Sequence, residues 1–278
     1  MLELFLLVVV GVALYYWLRG QRGSAAAGDA KYARFYDRYN SLDEVTQALR
    51  TAGLESCNLI IGVDFTKSNL TQGAGTFHGL SLHHMDQRRE NPYQTAIRVL
   101  GSTLASFDDD NLIPAYGFGD ITTRDLSCFS FFPDRACEGF GEVLTRYSEL
   151  VHSVRLSGPT NFAPIIGEAI RIVKQTRGFH ILVIIADGQV ISKRQTIDAI
   201  VEASNYPLSI LLVGVGDGPW DDMQRFDDEL PERRFDNFQF VNFHKVMTQS
   251  RHPDVAFALA ALMEIPQQFQ AIRDLELI

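Results

Sequence analysis

Asp64, Thr66 and Ser68 stand at alternate positions in VDFTKSN, residues 63 to 69, directly after the apolar run NLIIG. Alternate residues on an extended turn point their oxygens the same way. Thr160 in SGPTNF and Asp187 in VIIADG add two more oxygen-bearing side chains, each at the border of an apolar segment. Two carboxylates, three hydroxyls and a water make an oxygen shell of about six positions, which suits Mg²⁺, Mn²⁺ or Ca²⁺, whereas zinc takes His or Cys. Mg²⁺ is the expected ion, with Mn²⁺ and Ca²⁺ as alternatives. A coordination position left open would admit a carboxylate from a partner. The competing reading of each piece is a plain turn, because Thr or Ser after a strand and Asp before Gly are turn formers.

The elements around these residues decide how far the readings can converge. NLIIGVDF (58 to 65), LIPAYGFG (112 to 119), SCFSFF (127 to 132), HILVIIA (180 to 186) and LSILLVGV (208 to 215) read as strands. Helical spacing runs from a Ser41 cap to a Gly53 stop, then through 91 to 107, 139 to 154, 162 to 176, 192 to 206 and 254 to 272. Alternation of this kind predicts an α/β fold: an open, mostly parallel, doubly wound sheet with helices on both faces. In such folds the functional crevice lies beyond the carboxyl ends of the strands. Asp64 and Asp187 both stand at such ends.

Composition narrows the function classes. The chain has 278 residues, is 46% hydrophobic and 21% charged, and carries a net charge of -9. An acidic body lacks the basic face that phosphate backbones need, so nucleic acid is not an expected partner. Cys57, Cys128 and Cys137 are too few and too scattered for a disulfide framework or a zinc site, and a reducing compartment fits them. GVGDGP (214 to 219) lacks the G-K-[ST] ending of a phosphate loop and reads as a strand-to-helix turn. His83 and His84 are expected on an exposed loop, and FDDEL (226 to 230) as solvated loop carboxylates. A strand-end Asp64 also resembles the nucleophile of a haloacid-dehalogenase-type phosphohydrolase. That chemistry wants a second carboxylate two residues on, where this chain has Thr66.

The N-terminus is of another character. FLLVVVGVALYYWL, residues 5 to 18, is uncharged, and Arg19 and Arg22 follow it. As a helix, residues 2 to 18 would span ~25 Å, against a hydrocarbon core of ~30 Å. Tyr15, Tyr16 and Trp17 are placed as an interfacial belt. The expectation is a single-pass membrane anchor at 1 to 19, a linker at 20 to 31, and one domain at 32 to 278. The basic residues after the run put the body in the cytosol. A cleaved signal peptide ending near AAAG (25 to 28) is the competing reading, although MLE supplies no positive start.

The D-x-T-x-S pattern, the Thr of GPTNF and the Asp of IADG resemble the metal-ion-dependent adhesion site of a von Willebrand factor A-type domain. The long stretches NLIPAYGFGD, GPTNFAPII, VIIADGQV, LVGVGDGPWDDMQRFDDELPERRFDNFQFVNF and ALMEIPQQF resemble the copine family, and most closely the plant copine-like ubiquitin ligases that carry a C-terminal RING. The similarity runs from about Tyr32 to about Ile272. It implies a cation-dependent protein-binding domain whose metal residues are Asp64, Thr66, Ser68, Thr160 and Asp187. Animal copines place calcium- and phospholipid-binding domains before this one, where this chain has the anchor and linker. After His252 the chain has no Cys or His. A RING needs about eight such zinc ligands, so these residues are not expected to transfer ubiquitin by themselves. The expected function is a membrane-anchored, cation-dependent recruiter or scaffold. The alternatives are substrate recognition within ubiquitin transfer, and a phosphohydrolase using Asp64.

Overall fold

The computed structural model describes residues 40–278, apart from 55, 56, 106, 109, 189, 229, 231 and 232. The apolar run at 2 to 18 and the linker therefore lie outside the described residues.

Helix α1 (Leu42–Ala52) starts at Ser41, whose hydroxyl accepts from the Glu44 amide, and stops at Gly53 with φ of 82°. Gly tolerates this left-handed conformation where other residues are strained. Strand β1 (Asn58–Asp64) follows. Helix α2 (Pro92–Leu104) opens on a reciprocal cap between Asn91 and Gln94, with Pro92 in its first turn. The expected strand at 112 to 119 is two strands divided at Pro114: β2 (Leu112–Ile113) and β3 (Ala115–Phe118). Pro has no amide proton to give a ladder, so the pairing changes there. Next come β4 (Cys128–Ser130), β5 (Cys137–Glu138), α3 (Gly139–Leu150) and α4 (Ala163–Thr176). Strand β6 (His180–Ala186), α5 (Lys193–Ala203), β7 (Leu208–Gly214) and α6 (Asp221–Asp228) follow. The chain closes through β8 (Phe238–Asn242), α7 (Phe243–Gln249), α8 (Pro253–Leu262) and α9 (Ile265–Asp274).

Six strands form one sheet in the order β4-β3-β1-β6-β7-β8, and β2 with β5 forms a separate ribbon. All pairings in the large sheet are parallel except β3 with β4 at the edge. Alternate residues of the central strands feed two cores. Leu59, Ile61, Val63, Ile181, Val183 and Ile185 pack with α1, α2, α3, α8 and α9. Ile60, Leu182, Ile184, Ile210 and Leu212 pack with α4, α5 and α6 on the other face. Both faces of each central strand are thus dry, which is why these strands read as unbroken apolar runs.

Three expectations need correction. The closing helix is two helices, α8 and α9, separated at Met263 and Glu264. Strand β8 was not anticipated, because FQFVN mixes polar and apolar residues; the buried Gln239 amide donates to the Ala260 carbonyl at 2.7 Å and so fits inside. Phe226, Asp227 and Asp228 belong to α6 and not to a loop, and Phe226 is buried. Among the described residues, the stretch Pro253–Asp274 that α8 and α9 form together is long and apolar enough to cross a membrane, but 67% of its apolar window is buried inside the fold. It is packed as core.

Candidate metal centre

Strand order reverses between β1 and β6, since the chain proceeds from β1 outward to β4 and then returns to β6 on the other side. A crevice opens at such a switch point, beyond the carboxyl ends of the strands. In register, Val63 pairs with Ile185, so Asp64 ends its strand beside Ala186 and Asp187 follows one residue later. Two acidic side chains distant in sequence thus meet at one place.

Asp64 is fully buried. Its Oδ1 accepts from the Thr66 amide at 2.7 Å, which folds the chain back sharply after the strand. The Thr66 and Ser68 hydroxyls then lie 2.8 Å apart. Below them, the buried Asn69 amide donates to the carbonyls of Thr66 at 3.0 Å and Asp64 at 3.4 Å, and its oxygen accepts from Tyr93 at 2.8 Å. Gly119 makes room for this turn. Its φ is +81°, and a Cβ there would stand 2.3 Å from Thr66 Cγ2.

Asp187 is also buried, and Ser68 hydrogen-bonds to it. Both Asp64 Oδ2 and Asp187 Oδ2 are buried without a hydrogen-bond partner. Burial pushes the Asp64 carboxyl up to about 6, with hydrogen bonds from Thr66 and from Asp187 pulling the other way. Burial raises Asp187 well above its ordinary range, and the neighbouring Asp64 charge and a hydrogen bond to the Asp64 carboxyl raise it further, against the Ser68 hydrogen bond. Two facing carboxyls without a cation hold their negative charge at high cost. Contrast Asp120, the carboxylate that follows β3. The amides and hydroxyls of Thr122 and Thr123 bond to both its oxygens, and they hold it below its ordinary range even though burial alone would raise it. Asp120 is committed to its own turn; Asp64 and Asp187 each keep an oxygen open.

Thr160 joins the rim through its backbone. Its carbonyl accepts from Ile191 at 3.0 Å and Ser192 at 3.4 Å, just past Asp187. Nearby, Ser157 donates to the carbonyls of Phe65 and Gly119 and accepts from the Lys67 amide at 2.6 Å. Among the described residues, Asp64, Thr66, Ser68 and Asp187 are linked by side-chain contacts, whereas Thr160 is tied by its backbone carbonyl to the loop after Asp187. An oxygen-only set with two open carboxylates fits a hard divalent cation. It offers too few His, Cys, Asp and Glu side chains to register as a metal cluster by those types alone, since no group of three converges among the described residues. The hydroxyls are what complete the set.

Sequence reasoning missed the layer beneath. His83, expected on an exposed loop, is buried, whereas His84 is exposed. The His83 ring stacks between Phe65 and Tyr93, with centroids 5.0 and 4.3 Å away. Its Nε2 lies 2.9 Å from the Asp64 carbonyl and its Nδ1 lies 2.8 Å from the Tyr147 hydroxyl. A carbonyl only accepts, so Nε2 carries the proton and Nδ1 accepts from Tyr147. Burial pushes His83 down to about 3, although the Asp64 carbonyl favours the charged form. The ring is therefore a neutral bracket on the backbone of the site. No local pattern in SLHHM distinguishes His83 from His84, because its partners lie far away in sequence.

The Copine family matches residues 81–278, which include Thr160 and Asp187 and begin beyond Asp64, Thr66 and Ser68. The chain belongs to the copine family. This copine chain is 54% identical over 267 residues to "E3 ubiquitin-protein ligase RGLG1" of Arabidopsis thaliana, covering 90% of this chain and 54% of that protein. It is 51% identical over 244 residues to "Copine family protein 2" of Caenorhabditis elegans, covering 86% of this chain and 3% of that protein. The copine chain thus spans about half the length of the plant ligase. Among solved structures, a von Willebrand factor type A protein from Catenulispora acidiphila superposes with a TM-score of 0.45 at 15% identity, over 77% of this chain and 43% of that one. That likeness is too loose to transfer any residue's role.

Proposed function

We propose that this copine domain captures a protein partner through a divalent cation, Mg²⁺ foremost, held by Asp64, Thr66, Ser68, Thr160 and Asp187. One observation carries the reading: two buried carboxylate oxygens, Asp64 Oδ2 and Asp187 Oδ2, lie at the carboxyl ends of adjacent strands with no hydrogen-bond partner. When bound, the ion supplies positive charge to both and an open position for a partner's carboxylate. The chain's own residues do the rest. Thr66 and Ser68 orient their hydroxyls, Asn69 and His83 brace the Asp64 backbone, and the folded rim keeps the two carboxylates apart from bulk water. Mn²⁺ and Ca²⁺ are the competing ions.

The proposal extends to location. The uncharged run at 5 to 18, followed by Arg19 and Arg22, supports a single-pass anchor with the domain facing the cytosol. A second reading is recognition of substrates for ubiquitin transfer, favoured by the similarity to RGLG1. The phosphohydrolase reading has no support at position 66, where Thr stands in place of the required acid.

Calorimetry with Mg²⁺ tests the ion, and affinity capture in Mg²⁺ and in chelator tests the partner. Cation binding that disappears in Asp64→Ala, together with partners lost in chelator, is the expected result. Equal ion affinity in wild type and Asp64→Ala, both folded, would end the reading. A ubiquitin-transfer assay with an added RING protein separates recruiter from ligase component: the second requires chain-dependent modification of a captured partner.

A further inference from the structure

The segment 155–161 is a hub for the loops around the crevice. The Arg155 carbonyl accepts from Ile121, the Ser157 carbonyl accepts from Lys67, and the Thr160 carbonyl accepts from Ile191. The Asn161 amide donates to the Asp125 carbonyl at 2.9 Å and to Gln195 Oε1 at 2.7 Å. Three large aliphatic side chains ride on these tethered loops and face solvent: Ile121 at 41% exposure, Leu126 at 81% and Ile191 at 68%. Single exposed aliphatics are ordinary, but three on loops tied to one hub beside a buried polar site mark an interaction surface.

The same loops carry both signs, but Asp120 is tied into its own turn and Asp125 is half-buried, so the exposed charge on them is positive. Lys67, Arg124 and Arg155 are exposed, and none has an ion-pair partner among the described residues. The whole chain carries -9. Three unpaired cations around a crevice on an acidic body favour a negatively charged partner and steer its approach.

Resting on the cation-dependent reading above, we infer that the rim formed by Ile121, Leu126, Ile191, Lys67, Arg124 and Arg155 selects an acidic protein segment whose central carboxylate is flanked by aliphatic side chains. The carboxylate enters the crevice toward Asp64 and Asp187 by way of the ion. The flanking aliphatic groups cover Leu126 and Ile191, and additional acidic residues meet the cations. Specificity then comes from the collar, and the ion supplies the common requirement for a carboxylate.

Fluorescence anisotropy with the full chain tests this, using short synthetic peptides in Mg²⁺ and in chelator. One peptide carries a central Asp between Leu residues, a second has Ser in place of Leu, and a third has Asn in place of Asp. The Leu-flanked Asp peptide is expected to bind at least about tenfold more tightly than either control, the scale of burying one aliphatic side chain. Leu126→Ser and Ile191→Ser should each weaken it about fivefold or more. Both side chains are exposed, so folding is spared, and calorimetric Mg²⁺ binding should be unchanged. Intact Mg²⁺ binding with equal affinity for Leu-flanked and Ser-flanked peptides would overturn the collar and leave the cation reading standing. Leu-flanked binding that persists in chelator would support the collar and remove the cation reading. Binding to phosphatidylserine vesicles but to no peptide, with loss in Leu126→Ser, would make the surface a membrane contact and overturn the inference.

Discussion

The His83 Nε2 proton points at the Asp64 carbonyl oxygen from 2.9 Å, inside a stack formed by Phe65 and Tyr93. The side chain of Asp64 serves the crevice while its backbone is held from the opposite side. A ring locked in this way can act only while neutral.

Acid should therefore weaken the fold through His83. Its folded value is pushed down to about 3 from an ordinary 6.5, so the unfolded chain binds a proton that the folded one refuses. The stability contribution is complete above 6.5 and is lost progressively as pH falls toward 3. Denaturant midpoints measured from pH 4 to pH 7 should rise with pH in wild type, and His83→Gln should lose that part of the slope. An unchanged slope in a folded His83→Gln protein would refute the assignment.

Asp64 works in the opposite sense. Its folded value is raised to about 6, so without a cation the carboxylate costs stability above the unfolded value of 3.8, and the cost grows as pH rises through 6. In chelator at neutral pH, Asp64→Asn should therefore be more stable than wild type, by about 1–3 kcal/mol. Saturating Mg²⁺ should stabilise wild type and leave Asp64→Asn unmoved. Thermal melts in both conditions give the comparison, and a variant less stable than wild type in chelator would contradict the crowded-carboxylate picture.

Gly119 limits what the turn above it can be. Ala at this position would strain a φ of +81° and drive its Cβ to 2.3 Å from Thr66 Cγ2. Gly119→Ala should cost about 2–4 kcal/mol and weaken Mg²⁺ binding. Adding Thr66→Ser removes the methyl and keeps the hydroxyl, so the double variant should recover part of both losses. The positive-φ strain would remain. Chemical denaturation and calorimetry on the two variants decide the point.

Asp217 clasps a neighbouring loop across the rim. Its carboxylate accepts from the Gly75 amide at 2.7 Å, the Thr76 amide at 2.8 Å and the Thr76 hydroxyl at 2.6 Å. Burial alone would raise this carboxyl, yet those bonds hold it below its ordinary range. Asp217→Ala should speed amide exchange at Gly75 and Thr76 with a global loss of only about 1 kcal/mol, because the clasp is at the surface. Protection retained at both amides would show that the loop is held by other contacts.

Much of this was visible in the sequence because it is local. Apolar runs buried on both faces identified β1, β6 and β7. Alternating periods predicted the parallel, doubly wound sheet, and D-x-T-x-S put three oxygens on one turn. What sequence alone could not determine depends on distance in the chain. The register of β1 against β6 brings Asp187 to Asp64. Side-chain bonds leave Asp64 and Asp187 open while closing Asp120, although all three are acids at strand ends. Of two adjacent histidines, only His83 is buried, because Phe65, Tyr93 and Tyr147 come from three separate elements to enclose it. Local periodicity records which face of an element is dry. The identity of the neighbours on that face is decided only when the elements pack.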